Sequence, residues 1–323
     1  MNPKDFKVPL WFQQTVIEGS DVSGTVAHIG PSATTTDFSI GDRVAAYLRI
    51  GKDGGYAEYT LASTATTFKI PDTVSFEEAS TVGLAACTAA LGLFAEDRLA
   101  LPSPFAPVSE GETLPIVIYG ASSSVGAYAL QLAKLAGLYT IAVAGKGLGY
   151  VESLRRADVL VDYRAGEENT IQLIKKAVHD KFGSHAKLEY AFDAISENGS
   201  MQLLAKAMDN TGKIAIVLPR DPEHKLRRVS SQKDQLSFEE VPETVQTFES
   251  SVPTAHAKDI EFAQKYFVLF GRLLQEGLFK TNRPRVLQGG LLGVEEGLAL
   301  LRDGKVSAEK LVVRIAETPG INQ

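Results

Sequence analysis

The rhythm of apolar positions changes near residue 114 of the chain. Before it, short apolar runs at 25–29, 43–48 and 56–61 alternate with glycine-rich breaks, which predicts strands of a compact β domain. Residues 76–94 read as one helix, with Glu77 and Glu78 near its start and small residues through its middle. Pro102, Pro104 and Pro107 then mark a connecting loop. From 114 onward, continuous apolar runs at 114–119, 139–144, 159–163, 190–195 and 213–218 predict strands, and unbroken runs of this kind suit strands buried on both faces. Helical stretches at 125–136, 152–157 and 170–182 separate them. Such alternation builds right-handed βαβ units on a parallel sheet, a doubly wound α/β fold. Residues 221–245 are polar and irregular. Residues 259–276 form an amphipathic helix with Phe262, Tyr266, Leu269, Phe270 and Leu273 on one side. An extended piece at 285–287, a helix at 294–303 and a strand at 311–315 complete the chain. This last strand is expected to rejoin the first domain, because a β domain cut early in the chain needs partners.

A length of 323 residues favours two domains. No window is long and apolar enough to span a bilayer, and residues 1–11 lack the apolar stretch of a signal peptide, so a cytoplasmic location is expected. A net charge of −6 argues against nucleic-acid binding, which needs a basic surface. The one dense basic cluster, Lys225, Arg227 and Arg228, reads as a solvated loop. Cys87 stands alone, so neither an internal disulfide nor a thiolate zinc cluster is available, and it reads as a buried small residue.

The most informative segment is Gly120-Ala121-Ser122-Ser123-Ser124-Val125-Gly126, lying between a buried strand and a helix. A dinucleotide site needs this order, because the tight turn brings backbone N–H groups to the pyrophosphate at the positive end of the helix. Gly126 has the place of the third glycine of that fingerprint, while Ala121 and Ser123 replace the first two. The serine hydroxyls offer further donors. An acid about twenty residues on, at the end of the second strand, would select NADH. Ala144, Gly145, Lys146 and Gly147 stand there instead, with no acid before Glu152. Lys146 and Tyr163 are placed to hold a 2′-phosphate, which favours NADPH.

These residues resemble the zinc-independent enoyl and quinone reductases of the medium-chain dehydrogenase/reductase superfamily, and within it the fungal trans-acting enoyl reductases that serve polyketide synthases. The likeness rests on Asn2-Pro3-Lys4-Asp5-Phe6-Lys7, Gly41-Asp42-Arg43-Val44, Gly55-Tyr56-Ala57-Glu58-Tyr59, Thr88-Ala89-Ala90-Leu91, Val161-Asp162-Tyr163 and residues 304–312. Zinc-dependent members carry G-H-E where this chain has Gly19, Ser20 and Asp21. His28, His179, His185, His224 and His256 are scattered without ligand spacing, so no metal is expected.

The resemblance implies a GroES-like β-rich catalytic domain over residues 1–90, a Rossmann NADPH-binding domain over 91–279 and a C-terminal segment, 280–323, returning to the first. It implies a bilobal molecule with its cofactor in the cleft. Ser122, Ser123, Ser124, Val125 and Gly126 would hold the pyrophosphate, and Gly145, Lys146, Gly147 and Tyr163 the 2′-phosphate. Leu218 and Pro219 would flank the nicotinamide, and Val306 and Ser307 would close on the cofactor. Lys7 and Thr88 would be catalytic, and Thr247 and Phe248 would line the substrate pocket. The family has a strand pair ahead of the first motif, whereas this sequence starts at it, which is expected to leave sheet edges unpaired and Lys7 close to a fraying terminus. The implied reaction is hydride transfer to the β-carbon of an enone or enoyl thioester, free or carrier-bound, with a polyketide synthase as the implied partner. Quinone reduction, or cofactor binding with little turnover, would use nearly the same residues. Monomer and homodimer both remain open.

Overall fold

The computed structural model describes residues 1–7, 16–33, 37–109, 111–218 and 241–321. The chain divides into two compact units, Met1–Cys87 with Val252–Gln323, and Thr88–Ser251.

In the first unit, β1 (Asp21–Thr25), β2 (Arg43–Tyr47) and β3 (Thr67–Lys69) form an antiparallel sheet in that order. β1 lies earlier than the expected 25–29. Its ladder closes where Val26 donates to Asp42 O and Gly41 donates to Val26 O, so the two chains turn apart there. The expected strand at 56–61 is absent. Gly55 and Tyr56 donate to Gly19 O and Glu18 O at 2.7 and 3.0 Å, and the segment then runs out into solvent. Tyr59 and Leu61 are 79% and 74% exposed, so their alternation has no face to bury.

The helix expected over 76–94 is two helices, α1 (Phe76–Ala79) and α2 (Gly83–Phe94). Ser80 and Thr81 donate their hydroxyls back to Glu77 O and Glu78 O at 2.9 and 2.7 Å, which competes with continuation of the helix. Asp21 then accepts from Leu84 N at 2.7 Å and caps the second helix from β1.

The second unit is a parallel sheet of β4 (Pro115–Tyr119), β5 (Tyr139–Ala144), β6 (Val159–Asp162), β7 (Tyr190–Asp193), β8 (Gly212–Ile216) and β9 (Val245–Glu249), in the order β6-β5-β4-β7-β8-β9. Its crossovers carry α3 (Ser124–Leu135), α4 (Leu148–Leu154), α5 (Glu167–Phe182) and α6 (Ser200–Ala207). Val117, Ile141, Val143, Ile174, Leu204 and Ile214 form the centre of a core with almost no exposure, as expected for a sheet covered by helices. The strand order reverses between β4 and β7, and ligands bind at the carboxyl ends of strands at such a point. Three elements differ from expectation. α4 starts at Leu148 rather than 152 and ends at Arg155, whose φ of 53° is left-handed. α6 and β9 lack the sequence signals of their neighbours. β9 is an edge strand with only Val245 fully buried, so no apolar run announces it.

The chain then re-enters the first unit with α7 (Ile260–Gln275), β10 (Pro284–Leu287), α8 (Val294–Arg302) and β11 (Lys310–Val313). α7 buries Tyr266, Phe267, Leu269, Phe270 and Leu273. It packs on Thr64–Thr66 and β3, with Phe267 and Phe68 ring centroids 6.2 Å apart. Each such aromatic contributes about 1.5–3 kcal/mol by burial. This packing lies within the first unit, which takes in the chain from Val252 onward. β11 pairs in parallel with β10 inside the first unit.

Candidate functional site

The turn after β4 has the geometry a phosphate site needs. Ser123 is the N-cap of α3, its hydroxyl accepting from Gly126 N at 3.1 Å. A Cβ on Gly126 would lie 2.2 Å from Gly120 O, so only glycine permits this approach of helix to strand. Ser122, Ser124 and Val125 are half-buried around the start of a twelve-residue helix, whose positive end favours an anion.

The second-strand turn is equally tight. Gly145 and Gly147 are buried and Lys146 is exposed. A Cβ on Gly145 would come within 2.7 Å of the Tyr163 ring. Tyr163 in turn stacks on Tyr119, centroids 6.0 Å apart. Burial, then the charge of Asp193, pushes the Tyr119 phenol up to about 12. An acid missed in the sequence lies here too. Asp162 ends β6 and faces Ala144 across the β5–β6 ladder. Its carboxylate accepts from Arg164 Nη2 at 2.6 Å and from Arg164 N at 3.0 Å. Those bonds from Arg164 hold it down to about 2, so the corner carries a neutralised pair with Lys146 as an added cation. This donor set, an open backbone turn at a helix start, fits the phosphates of a nicotinamide dinucleotide.

Asp193, the last residue of β7, sits opposite Tyr119 of β4 at the point where strand order reverses. It is fully buried. Its Oδ1 accepts from Ile195 N at 3.0 Å and Ser196 N at 2.8 Å, and its Oδ2 accepts from the Ser200 hydroxyl. The Ser196 hydroxyl donates to Asp193 O and accepts from Val217 N, each at 3.0 Å, which joins the ends of β7 and β8. Burial pushes this carboxyl up to about 6, against the pull of the Ser200, Ser196 and Ile195 donors. A lone acid at a strand end carries no motif. The only trace in the sequence is the pair of hydroxyls at Ser196 and Ser200.

The remaining expected residues of this unit are placed as follows. Leu218 is half-buried after β8, and Pro219 lies outside the described residues, as do Lys225, Arg227 and Arg228. Thr88 is 4% exposed on α2, and its carbonyl accepts from the Ser250 hydroxyl. Thr247 and Phe248 are half-buried within β9, opposite Ile214 and Ala215.

In the first unit, the opening motif is a buried polar lock. Asp21 Oδ2 accepts from Asn2 Nδ2 at 2.8 Å and pairs with Lys310 Nζ at 3.0 Å. Burial would push the Asp21 carboxyl up, but Lys310, the adjacent amino terminus, Leu84 N and Asn2 hold it below the ordinary carboxylate range. Asp5 accepts from Asn2 N at 2.9 Å and from Tyr56 Oη at 2.7 Å. Lys4 bridges Asp5 and Glu18 at 2.8 and 2.5 Å. The expected fraying is not seen: Met1 packs with Leu287 and Leu311, and its nitrogen donates to Leu311 O at 2.8 Å. Lys7 is half-buried just beyond this lock. Val306 packs against the Met1 cluster and Ser307 is exposed. Cys87 is buried, which pushes its thiol up and leaves it unreactive. Among the described residues no helix is long and apolar enough to cross a membrane.

Residues 1–72 match the alcohol dehydrogenase GroES-like domain. A trans-enoyl reductase of Gibberella fujikuroi is 38% identical over 90% of this chain and 82% of its own length. One of Aspergillus sclerotiorum is 31% identical over 98% of this chain and 90% of its own. Among solved structures, the JamJ enoyl reductase in its apo form covers 97% of this chain and 87% of its own, with a TM-score of 0.66 at 14% identity.

Proposed function

We infer, for a chain that belongs to the trans-enoyl reductase family, an NADPH-dependent and zinc-independent reduction of an α,β-unsaturated carbonyl in secondary metabolism. The family supports the enoyl reductase type. The observation that carries the cofactor reading is the corner where Gly145 lies against Tyr163, with Lys146 exposed and Asp162 neutralised by Arg164.

When bound, NADPH would supply the hydride, which goes to the β-carbon of the acceptor. Ser122, Ser123, Ser124, Val125 and Gly126 hold the pyrophosphate at the start of α3. Lys146 and Tyr163 bind the 2′-phosphate beside Gly145 and Gly147. Leu218 continues the cofactor contacts after β8, and Thr247 and Phe248 belong to the acceptor pocket. Negative charge grows on the carbonyl oxygen as the β-carbon is reduced. A donor such as Lys7, Thr88 or a backbone N–H stabilises that oxygen, and solvent protonates the α-carbon. Zinc independence is supported by Asp21, whose carboxylate is committed to Lys310, Asn2 and Leu84, and by the serine that precedes it. The acceptor is a carrier-bound or free enoyl thioester, with a polyketide synthase as partner in the cytoplasm.

Steady-state NADPH oxidation with a panel of enoyl thioesters, enones and quinones, run with and without a zinc chelator, tests this reading. Oxidation with enoyl acceptors that survives chelation supports it. Turnover with quinones alone, or loss of activity with chelator, contradicts it.

A further inference from the structure

The buried carboxylate of Asp193 has no role in the assignments above. Burial of a charge is costly unless a partner or a ligand offsets it. Among the described residues, none of the groups that dominate its titration is cationic. The titratable groups that face it are Glu197 on its own loop and Tyr119 on β4, neither of them cationic near neutral pH. Three donors orient the carboxylate, and Ser196 ties it to Val217 at the end of β8. The loop that wraps it is held in an unusual conformation, with Ser196 and Asn198 both at φ 56°. A rigidly held carboxylate at the carboxyl ends of β4 and β7 lies at the strand-order reversal, where such folds receive their ligand.

We propose that Asp193 is an electrostatic positioning residue that supplies the counter-charge for the cationic, oxidised nicotinamide ring and so discriminates NADP⁺ from NADPH. The inference rests on the dinucleotide reading of this unit. The two cofactor forms share the adenosine, pyrophosphate and 2′-phosphate and differ by one positive charge on the ring. An anion in a low-dielectric setting favours the charged ring over the neutral one. The same preference stabilises positive charge developing on the ring as hydride departs, and it costs no reorganisation because the donors of Ile195, Ser196 and Ser200 already fix the carboxylate. A group that titrates near 6 is ionised at neutral pH and neutral in mild acid, so the preference is switched by pH.

The test is the ratio of dissociation constants for NADP⁺ and NADPH, measured on the full chain by fluorescence titration from pH 5 to 8. Titration of the 2′-phosphate affects both forms alike and cancels in the ratio. The ratio is expected to shift about tenfold against NADP⁺ as pH falls through 6, the size of one partly desolvated charge interaction. Asp193→Asn, which keeps the shape and the accepting oxygen, is expected to hold the acid-limb ratio at every pH. Ser200→Ala removes one donor and is expected to move the midpoint upward. A ratio that is flat with pH and equal in wild type and Asp193→Asn overturns the proposal while leaving the cofactor site intact. Failure of both nucleotides to bind the folded wild-type chain overturns the dinucleotide reading and this inference with it.

Discussion

Gly145 and Tyr163 are fitted face to face: a single methyl group at 145 would stand 2.7 Å from the phenol ring. Gly145→Ala must therefore swing Tyr163 away from Tyr119. The expected result is a loss of NADPH affinity of about tenfold with NADH binding little changed, because the proposed function gives the displaced ring to the 2′-phosphate. Parallel titrations with the two nucleotides check this. A uniform loss for both would place the ring elsewhere.

Under the proposed cofactor reading, the Arg164 pair keeps Asp162 from acting as an acid that selects NADH. Arg164→Gln frees that carboxylate beside the 2′-phosphate corner. The NADPH-to-NADH preference is expected to fall about fivefold, and further when Lys146→Ala is added, with the effect shrinking at high salt. The pair is exposed, so thermal stability is expected to change little.

How far was this corner legible beforehand? Lys146 and the missing acid after β5 were visible because they are local in sequence. Asp162 was not, since it meets Ala144 only through the parallel register. The buried strands were equally plain, because both faces of Val117, Ile141 and Ile214 need apolar neighbours. β9 escaped because an edge strand needs only Val245 inside. The first unit was harder. Its strand limits follow from the chain reversal at Gly41 and Asp42, and the start of α2 is capped by Asp21, sixty-three residues before Leu84. Asp193 left no pattern, since its importance comes from depth and from the donors of Ile195, Ser196 and Ser200 that the fold brings to it.

Gly126 permits the contact of α3 with β4 that brings the helix start to the turn. Gly126→Ala would drive a Cβ to 2.2 Å from Gly120 O, a backbone atom that cannot yield cheaply. A destabilisation of about 3 kcal/mol is expected, together with loss of binding for both nucleotides, in a denaturant melt followed by titration. An alanine variant of wild-type stability would mean that the helix start has more room than the described packing allows.

Lys310 and Asp21 are 3% and 2% exposed and pair at 3.0 Å. Lys310→Met leaves a buried carboxylate without its cation, expected to cost about 3–5 kcal/mol and to lower Tm by on the order of 10 °C. The Asp21 carboxyl is held below its ordinary value of 3.8 in the folded state. Its contribution is therefore present above that pH and is lost as pH falls through the folded value. Melting curves of wild type and variant should converge in that acid range. Curves that stay parallel down to low pH would show that the pair contributes nothing.

The central claim is hydride delivery from NADPH to the β-carbon of an enoyl acceptor. Single-turnover reduction of an enoyl thioester with NADPH deuterated at C4, read by mass spectrometry and NMR, tests it most directly. The account predicts one deuterium at the β-carbon and a solvent-derived proton at the α-carbon. Deuterium at the carbonyl carbon, or unreduced acceptor beside tightly bound NADPH, would contradict it.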